Sequence, residues 1–378
     1  MGTTSAHKVG LLFSTTGPYA ALGRSALDGA RMAVDEVNAE GEVALVPVMC
    51  DPEGIPHLYE KCTRRLLREG AVRHIVGGIT SWSRKDMIPV LERRDAMLWY
   101  PCPYEGFECN DHVVYLGACP NQHLVPLVDH VLQDRPRRAV LVGSNYVWGW
   151  ETLRVARERL SAAGVEIAAE RFVPLGETGC AHLIDEIRAC RPDVIVNSLI
   201  GPSNHAFMHM LAEIRDMTGS CQVISANQTE ADLDELGQAA DGMLSIAAWF
   251  EGIETPENRL FRARIADALG PDYRASCNFA TAYTAVRLLA EGIARVGHDE
   301  PQAVFDAVSG RILDTVLGPV EIDPATRHTT LVPRMGRLRR GVFEIVSAAS
   351  DKVAPDPYLT RVTPPPPRQR KPELRIVS

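Results

Sequence analysis

The chain has 378 residues, 46% of them hydrophobic and only 6% aromatic, which suits two domains with ordinary cores and makes any aromatic cluster informative. A formal net charge of −8 argues against a surface that grips nucleic acid or an anionic membrane. Nine scattered cysteines without a CxxC pair read as buried thiols of a reducing compartment, not as a disulfide framework or zinc site, and no apolar stretch is long enough to span a bilayer.

The polar segment Met1–Lys8 precedes an apolar run of only Val9–Phe13, too short for a secretory signal, so the sequence predicts a cytoplasmic protein. Val9–Phe13 reads as a strand that breaks at Ser14-Thr-Thr-Gly-Pro18. An amphipathic helix follows, with Ala30, Ala33, Val34 and Val37 on one stripe and a stop at Asn38-Ala-Glu-Gly41. The alternation continues with strands expected at Leu45–Cys50, His74–Gly77, Met97–Trp99, Ala139–Gly143, Glu166–Arg171, Val194–Leu199 and Val223–Ser225. Helices are expected near 57–69, 82–94, 121–133, 150–163, 180–190, 204–216 and 229–238. Repeated βα units imply doubly wound parallel sheets, with ligand loops at the carboxyl ends of the strands. The pattern restarts near residue 138, so two similar lobes are predicted. Residues 256–310 read as helical, with Ala275–Val296 the longest helix there, and Leu317–Ile322, Thr330–Arg337 and Val342–Val346 as strands that return to earlier sheets. Lobe 1 is expected at 8–121 plus about 252–328, lobe 2 at 122–251 plus about 329–360, and a basic, proline-rich tail at 361–378.

Candidate site residues sit at the strand-to-helix turns. Gly77-Gly-Ile-Thr-Ser81 places Ile79 and Ser81 where a helix begins, with hydroxyl and free N–H groups for a ligand oxygen. Trp99-Tyr-Pro-Cys-Pro-Tyr-Glu-Gly-Phe-Glu108 offers Tyr100, Cys102 and Tyr104 on a proline-stiffened loop. Tyr146, Trp148 and Trp150 repeat the theme in the second half, where they face a ligand or the opposing lobe. Asn227 and Gln228 supply neutral donors and acceptors, while Thr229 with Asp232 reads as a capping box. No loop presents a clear cationic clamp, although Arg84 and Lys85 lie near Ser81; Glu105 and Glu230 are available to an amine. His205 and His209 lack the glutamate of a metalloprotease motif, and no cofactor or metal is expected. Cys102 as the nucleophile of an amidohydrolase is the weaker enzymatic alternative.

Phe13-Ser-x-Thr-Gly17, Asn38-Ala-Glu-Gly41, Gly77-Gly-x-x-Ser81, Tyr100-Pro-x-Pro-Tyr-Glu-Gly-Phe-Glu108, Gly143-Ser-x-Tyr146 and Asp356-Pro-Tyr358 resemble the bacterial amino-acid and amide receptors of the type I periplasmic-binding-protein fold. Within it they are similar to the branch of amide-sensing regulators of amidase operons and short-chain amide and urea transport receptors. The resemblance implies two lobes joined by a three-strand hinge, with Ser81, Tyr100, Cys102 and Tyr146 on the ligand. With the absent signal, it implies a cytoplasmic, non-enzymatic sensor of a small neutral amide that sequesters an RNA-binding antiterminator. Self-association is left open. An import receptor for amides, urea or branched-chain amino acids is the alternative.

Overall fold

The computed structural model describes residues 6–214 and 221–365, so most of the expected tail, and the last two residues of the helix expected at 204–216, lie outside the described residues. The first sheet is built from β1 (Ala6–Leu12), β2 (Ala44–Cys50), β3 (His74–Gly77), β4 (Met97–Tyr100) and β5 (Val113–Tyr115), in the order β2-β1-β3-β4-β5. All its pairs are parallel, with Val9 opposite His74 and Leu98 opposite Val113. Three helices connect these strands: α1 (Ala20–Glu40), α2 (Pro56–Arg68) and α3 (Ser81–Arg94). The predicted stripe of α1 is buried, and Gly41 ends the helix at φ 80°, its N–H bonded to the Val37 carbonyl.

The second sheet contains β6 (Arg138–Ser144), β7 (Glu166–Val173), β8 (Val194–Ser198), β9 (Gln222–Ser225) and β10 (Leu244–Ala247), together with β13 (Arg334–Arg339) and β14 (Val342–Ala348), in the order β14-β13-β10-β9-β8-β6-β7. The first five are parallel, as expected; β13 and β14, from the chain's later part, return to this sheet and add antiparallel. Strands β11 (Ile312–Thr315) and β12 (Gly318–Glu321) form a separate hairpin. The covering helices are α4 (Leu124–Leu132), α5 (Val147–Ala162), α6 (Ala181–Cys190), α7 (Pro202–Glu213), the single turn α8 (Leu233–Leu236), α9 (Pro256–Leu269), α10 (Cys277–Val296) and α11 (Pro301–Val308). At 20 residues α10 is the longest of the three helices in 256–310, as expected. Strands β5, β10 and β11, of three or four residues each, were not expected from the sequence.

The fold is therefore two α/β lobes, each a sheet between helices. The chain crosses between them where Tyr115 donates its N–H to the Arg327 carbonyl and accepts from Thr329 N–H, at 2.8 and 3.0 Å. The buried Gln122 side chain ties this crossing together by donating to the Thr329 and Val353 carbonyls, both at 2.9 Å. Helix α10 packs along α1, where Gly29 lets the backbones meet: a Cβ there would lie 2.3 Å from the Phe279 carbonyl oxygen.

Candidate functional site

Between the lobes, at the carboxyl ends of the strands, lies a cavity of about 50 Å³. By the same measure one ordered water needs roughly 10–15 Å³, so the space suits a small organic molecule. Ile79, Ser81, Cys102, Tyr146, Trp148 and Asn227, six of the nine residues expected at the site, line it. Tyr100, Tyr104 and Gln228 do not. The Tyr100 hydroxyl donates to the Ile79 carbonyl at 2.9 Å and so stiffens the turn behind the cavity. The Tyr104 hydroxyl donates to the Glu108 carbonyl at 3.0 Å and its ring lies 5.4 Å from that of His328. Gln228 joins a buried amide chain, in which Asn197 donates to Asn204 at 2.8 Å and Asn204 to Gln228 at 2.9 Å.

The lobe-1 wall is built by two turns. Gly78, at φ 78°, supplies the left-handed step that leads into α3, and its N–H bonds to the Leu12 carbonyl at 2.9 Å. Thr80, not Ser81, is the helix cap, in a reciprocal box with Ser83, so Ser81 starts the first turn with its side chain free for the cavity wall. Its hydroxyl donates to Glu105 Oε2. Glu105 Oε1 in turn accepts from Arg84 Nη2 at 3.2 Å, and Arg84 Nε donates to Glu108 at 2.6 Å. Arg84 is fully buried, its guanidinium carbon 4.9 Å from the Tyr100 ring centre and 4.7 Å from that of Tyr104. Burial works against the guanidinium charge, but Glu105, Tyr100 and Glu108 outweigh it and hold Arg84 protonated. Burial likewise works against the Glu108 carboxylate, but Arg84 and Lys85 pull its pKa down to about 2. The cations near Ser81 are thus committed behind the wall, not to the cavity.

Cys102 is buried, which pushes its thiol up to about 12; it donates to the Gly78 carbonyl at 3.5 Å and accepts from Asn278 Nδ2 at 3.4 Å. A thiol so protonated is no nucleophile. The loop runs so close to Gly117 that a Cβ there would meet the Cys102 carbonyl oxygen at 1.9 Å.

The lobe-2 wall comes from the turns after β6 and β9. Tyr146 is the buried N-cap residue of α5, its ring 5.2 Å from Trp82 across the cleft. Trp148 packs beside His123, and its Nε1 has no partner among the described residues. Trp150, expected to face a ligand or the other lobe, is instead 45% exposed and donates to Asn145 at 2.9 Å. Thr229 makes no cap bond; the residue lines the cavity, and its buried hydroxyl also lacks a partner among the described residues. Beside it Glu230 is buried, with one carboxyl oxygen accepting from Glu251 N–H at 2.7 Å and the other unpartnered among the described residues. Burial raises its pKa to about 8, so it is largely uncharged at neutral pH.

Sequence reasoning missed His123 and the start of α10. His123 is buried and neutral, its pKa lowered to about 4 by burial. Asn278 and Thr281 reach the cavity from α10, a helix that the sequence shows but without marking its first turn as part of a site. The Ser14–Pro18 turn is consumed internally: Ser14 bonds Tyr59 at 2.7 Å and Thr15 bonds Asp51. His205 pairs with Asp232 and His209 with the Glu235 carbonyl, and the described residues contain no cluster fit for a metal ion. Cys50 and Cys62 form a disulfide with Cα atoms 6.0 Å apart, which corrects the reading of all cysteines as free thiols. No helix among the described residues is long and apolar enough to cross a membrane.

The family described as periplasmic binding protein domain matches residues 7–364. The Leu/Ile/Val-binding protein homolog 6 of Brucella abortus is 23% identical over 332 residues, covering 85% of each chain. The Leu/Ile/Val-binding protein BraC3 of Rhizobium johnstonii is 22% identical, covering 82% of this chain and 86% of its own. Among solved structures, an ABC-transporter solute-binding protein of R. palustris in complex with benzoate superposes with a TM-score of 0.85 at 18% identity, covering 95% of this chain and all of its own. The branched-chain amino acid transporter binding protein of Streptococcus pneumoniae in complex with isoleucine superposes at 0.80 with 17% identity, over 92% of this chain and all of its own. These matches overturn the reading of a cytoplasmic regulator with an antiterminator partner and a neutral-amide ligand. They lead to a periplasmic binding protein domain and to proteins named as Leu/Ile/Val-binding proteins and as the binding proteins of transporters. The resemblance holds for the wider group of receptors, not for its amide-sensing branch.

Proposed function

The chain belongs to the periplasmic binding protein domain family, a family of ligand-binding domains and not of enzymes, and from that premise we propose that it is the ligand-capturing receptor of an ABC-type importer for a small aliphatic amino acid. The observation that carries the reading is the cavity between the lobes. Its wall is mostly apolar, as Leu22, Ile79, Ile200 and Ile246 make it, and its polar groups include two without a protein partner among the described residues, Trp148 Nε1 and Thr229 Oγ1. A ligand with an apolar body and a small polar head completes such a surface, because a buried polar group without a partner is costly. The names of the curated relatives and the ligands of the solved structures support a carboxylate-bearing molecule. The disulfide Cys50–Cys62 supports a location outside the reducing cytoplasm. The joints expected near 121–122, 251–252 and 328–329 serve as the hinge on which the lobes close, and ligand contacts from both walls favour the closed form.

Calorimetry of the purified protein with each L-amino acid and with benzoate tests the reading. Binding of valine, leucine or isoleucine at micromolar concentration is expected. Binding of benzoate with no response to any amino acid sinks it.

A further inference from the structure

Helices α2 and α3 pack side by side on lobe 1. Each runs from the carboxyl end of one parallel strand back to the amino end of the next, so their last turns lie together, at the end of the lobe away from the cleft. Another cavity, of about 230 Å³, opens between them there, lined by Arg64 and Arg68 of α2 and by Val90, Arg93 and Arg94 of α3. Val90 is buried and the four arginines are exposed. Arg64 Nε donates to Glu60 at 3.0 Å, whereas the side chains of Arg68, Arg93 and Arg94 form no hydrogen bond or ion pair among the described residues. Glu60 feels the group: its bond to Arg64 and the charge of Arg93 lower its pKa. The other acids of these helices and their ends leave the arginines unanswered. Glu92 accepts from Asn110 at 2.9 Å, and Glu69, Asp86 and Asp95 neither line the cavity nor pair with its arginines. Arg68, Arg93 and Arg94 stand in last turns, where a cation complements the helix dipole, but each helix end carries only about half a negative charge. Two helix ends and Glu60 thus offset about two of the four positive charges, and an excess of about two remains in a chain whose net charge is −8.

We infer that this cavity is a second binding site, for a phosphoryl-type oxyanion carrying two or more negative charges, held by Arg64, Arg68, Arg93 and Arg94. The planar guanidinium fork matches two oxygens of a phosphoryl group, and forks from two helices can grip several such oxygens at once. A single carboxylate would leave part of the excess charge unanswered. The site is separate from the cleft. Helix α3 has 14 residues and is about 21 Å long, with Ser81 on the cleft at its first turn and Arg94 on this cavity at its last. The inference therefore does not rest on the amino-acid reading. Phosphoryl oxygens of this kind are offered by a soluble phosphate and by the headgroup of an anionic lipid.

Titration calorimetry with pyrophosphate at low ionic strength, in a buffer free of phosphate and sulfate, tests the site. One-to-one binding is expected, weakened by added salt, with orthophosphate binding less tightly. The double variant Arg68→Gln/Arg93→Gln is expected to bind pyrophosphate at least roughly tenfold more weakly. Arg31→Gln/Arg311→Gln removes the same charge from exposed positions outside the cavity and is expected to bind as wild type does. Melting curves separate binding from a role in the helices alone. Without anion the cavity variant is expected to melt no lower than wild type, because crowding of like charge is relieved, and pyrophosphate is expected to raise the Tm of wild type but not of this variant. Flotation with phosphatidylcholine vesicles, with and without phosphatidylglycerol, distinguishes the sources: binding that needs phosphatidylglycerol and that the cavity variant loses assigns a lipid headgroup, and pyrophosphate binding alone assigns a soluble anion; either upholds the site. The inference is overturned if neither pyrophosphate nor vesicles bind, or if both double variants weaken binding by one factor, as diffuse charge would. A cavity variant that melts lower than wild type and binds pyrophosphate unchanged also overturns it, since the arginines then serve only their helix ends. Leucine titrations report on the cleft and are expected to be the same in both double variants as in wild type, so failure here leaves the amino-acid reading standing.

Discussion

On the wall built by α3, the β4–β5 loop and α10, the polar side chains that meet the cavity are already spoken for: Ser81 by Glu105, Asn278 by Cys102, Thr281 by the Cys277 carbonyl. On the wall built by the turns after β6 and β9, Trp148 Nε1 and Thr229 Oγ1 have no partner among the described residues. One wall is preorganised by a buried ionic cluster; the other is completed by what it binds. Preorganisation lowers the ordering cost of binding, while unsatisfied groups opposite make closure worthwhile only with ligand present. A receptor with both walls satisfied would close empty.

The largest expected effect lies in the cluster behind the first wall. Arg84→Met leaves Glu105 and Glu108 without their buried cation, and breaking such a pair costs about 3–5 kcal/mol. Urea unfolding measures it, and a loss under about 1 kcal/mol would remove the distinction between the walls.

The two walls also differ in the sense of their pH response. Burial lowers His74, His123 and His328, on the lobe-1 side and at the crossing, each to about 4. Unfolded histidine takes up a proton from about pH 6.5 downward, whereas the native residues resist until about 4, so stability is expected to fall as pH drops between these values. Glu230, beside the second wall, does the opposite. Its unfolded pKa is 4.5 and its native value about 8, so stability is present below 4.5, falls as pH rises through this range and levels off above it. Glu230→Gln is expected to abolish that fall, with a gap over wild type of a few kcal/mol by pH 8. Melting curves from pH 4 to 9 check both signs; a variant that tracks wild type throughout would mean the carboxyl is not held neutral.

Trp148→Phe removes an unpartnered donor and is expected to leave the ligand-free protein as stable as before, or more so, while weakening leucine about tenfold. Stability loss without affinity loss would make Trp148 a packing residue only. The smallest effect belongs to Trp150, two residues away but exposed: Trp150→Ala should shift stability by less than about 0.5 kcal/mol and leave affinity alone.

The positions of the site loops were legible because strand-turn-helix junctions are written in local periodicity. The strands read at His74–Gly77, Met97–Trp99, Ala139–Gly143 and Val223–Ser225 end in turns, and these turns do bring Ile79, Ser81, Cys102, Tyr146, Trp148 and Asn227 around one cavity. Aromatic content alone did not separate wall from support. Tyr100 and Tyr104 turn away to the Arg84 cluster, and Trp150 turns to solvent, because a loop residue's direction is decided by what packs behind it. The cysteines were misread as free thiols because the disulfide partners Cys50 and Cys62 lie on a strand and the following helix, with no spacing motif to announce them.

By itself the sequence determined the alternation of elements, the helix stop at Gly41, the restart of the pattern near residue 138 and the loops on which a ligand site is placed. These rest on interactions within a few residues, which composition and spacing record. Only the tertiary structure decided which way the Ser81 proton points, that Arg84 is buried and paired, that β13 and β14 close the second sheet antiparallel and that α10 supplies Asn278 to the cavity. Each of these depends on contact between segments far apart in the chain, where packing and the pairing of buried charge, not local propensity, select the partner.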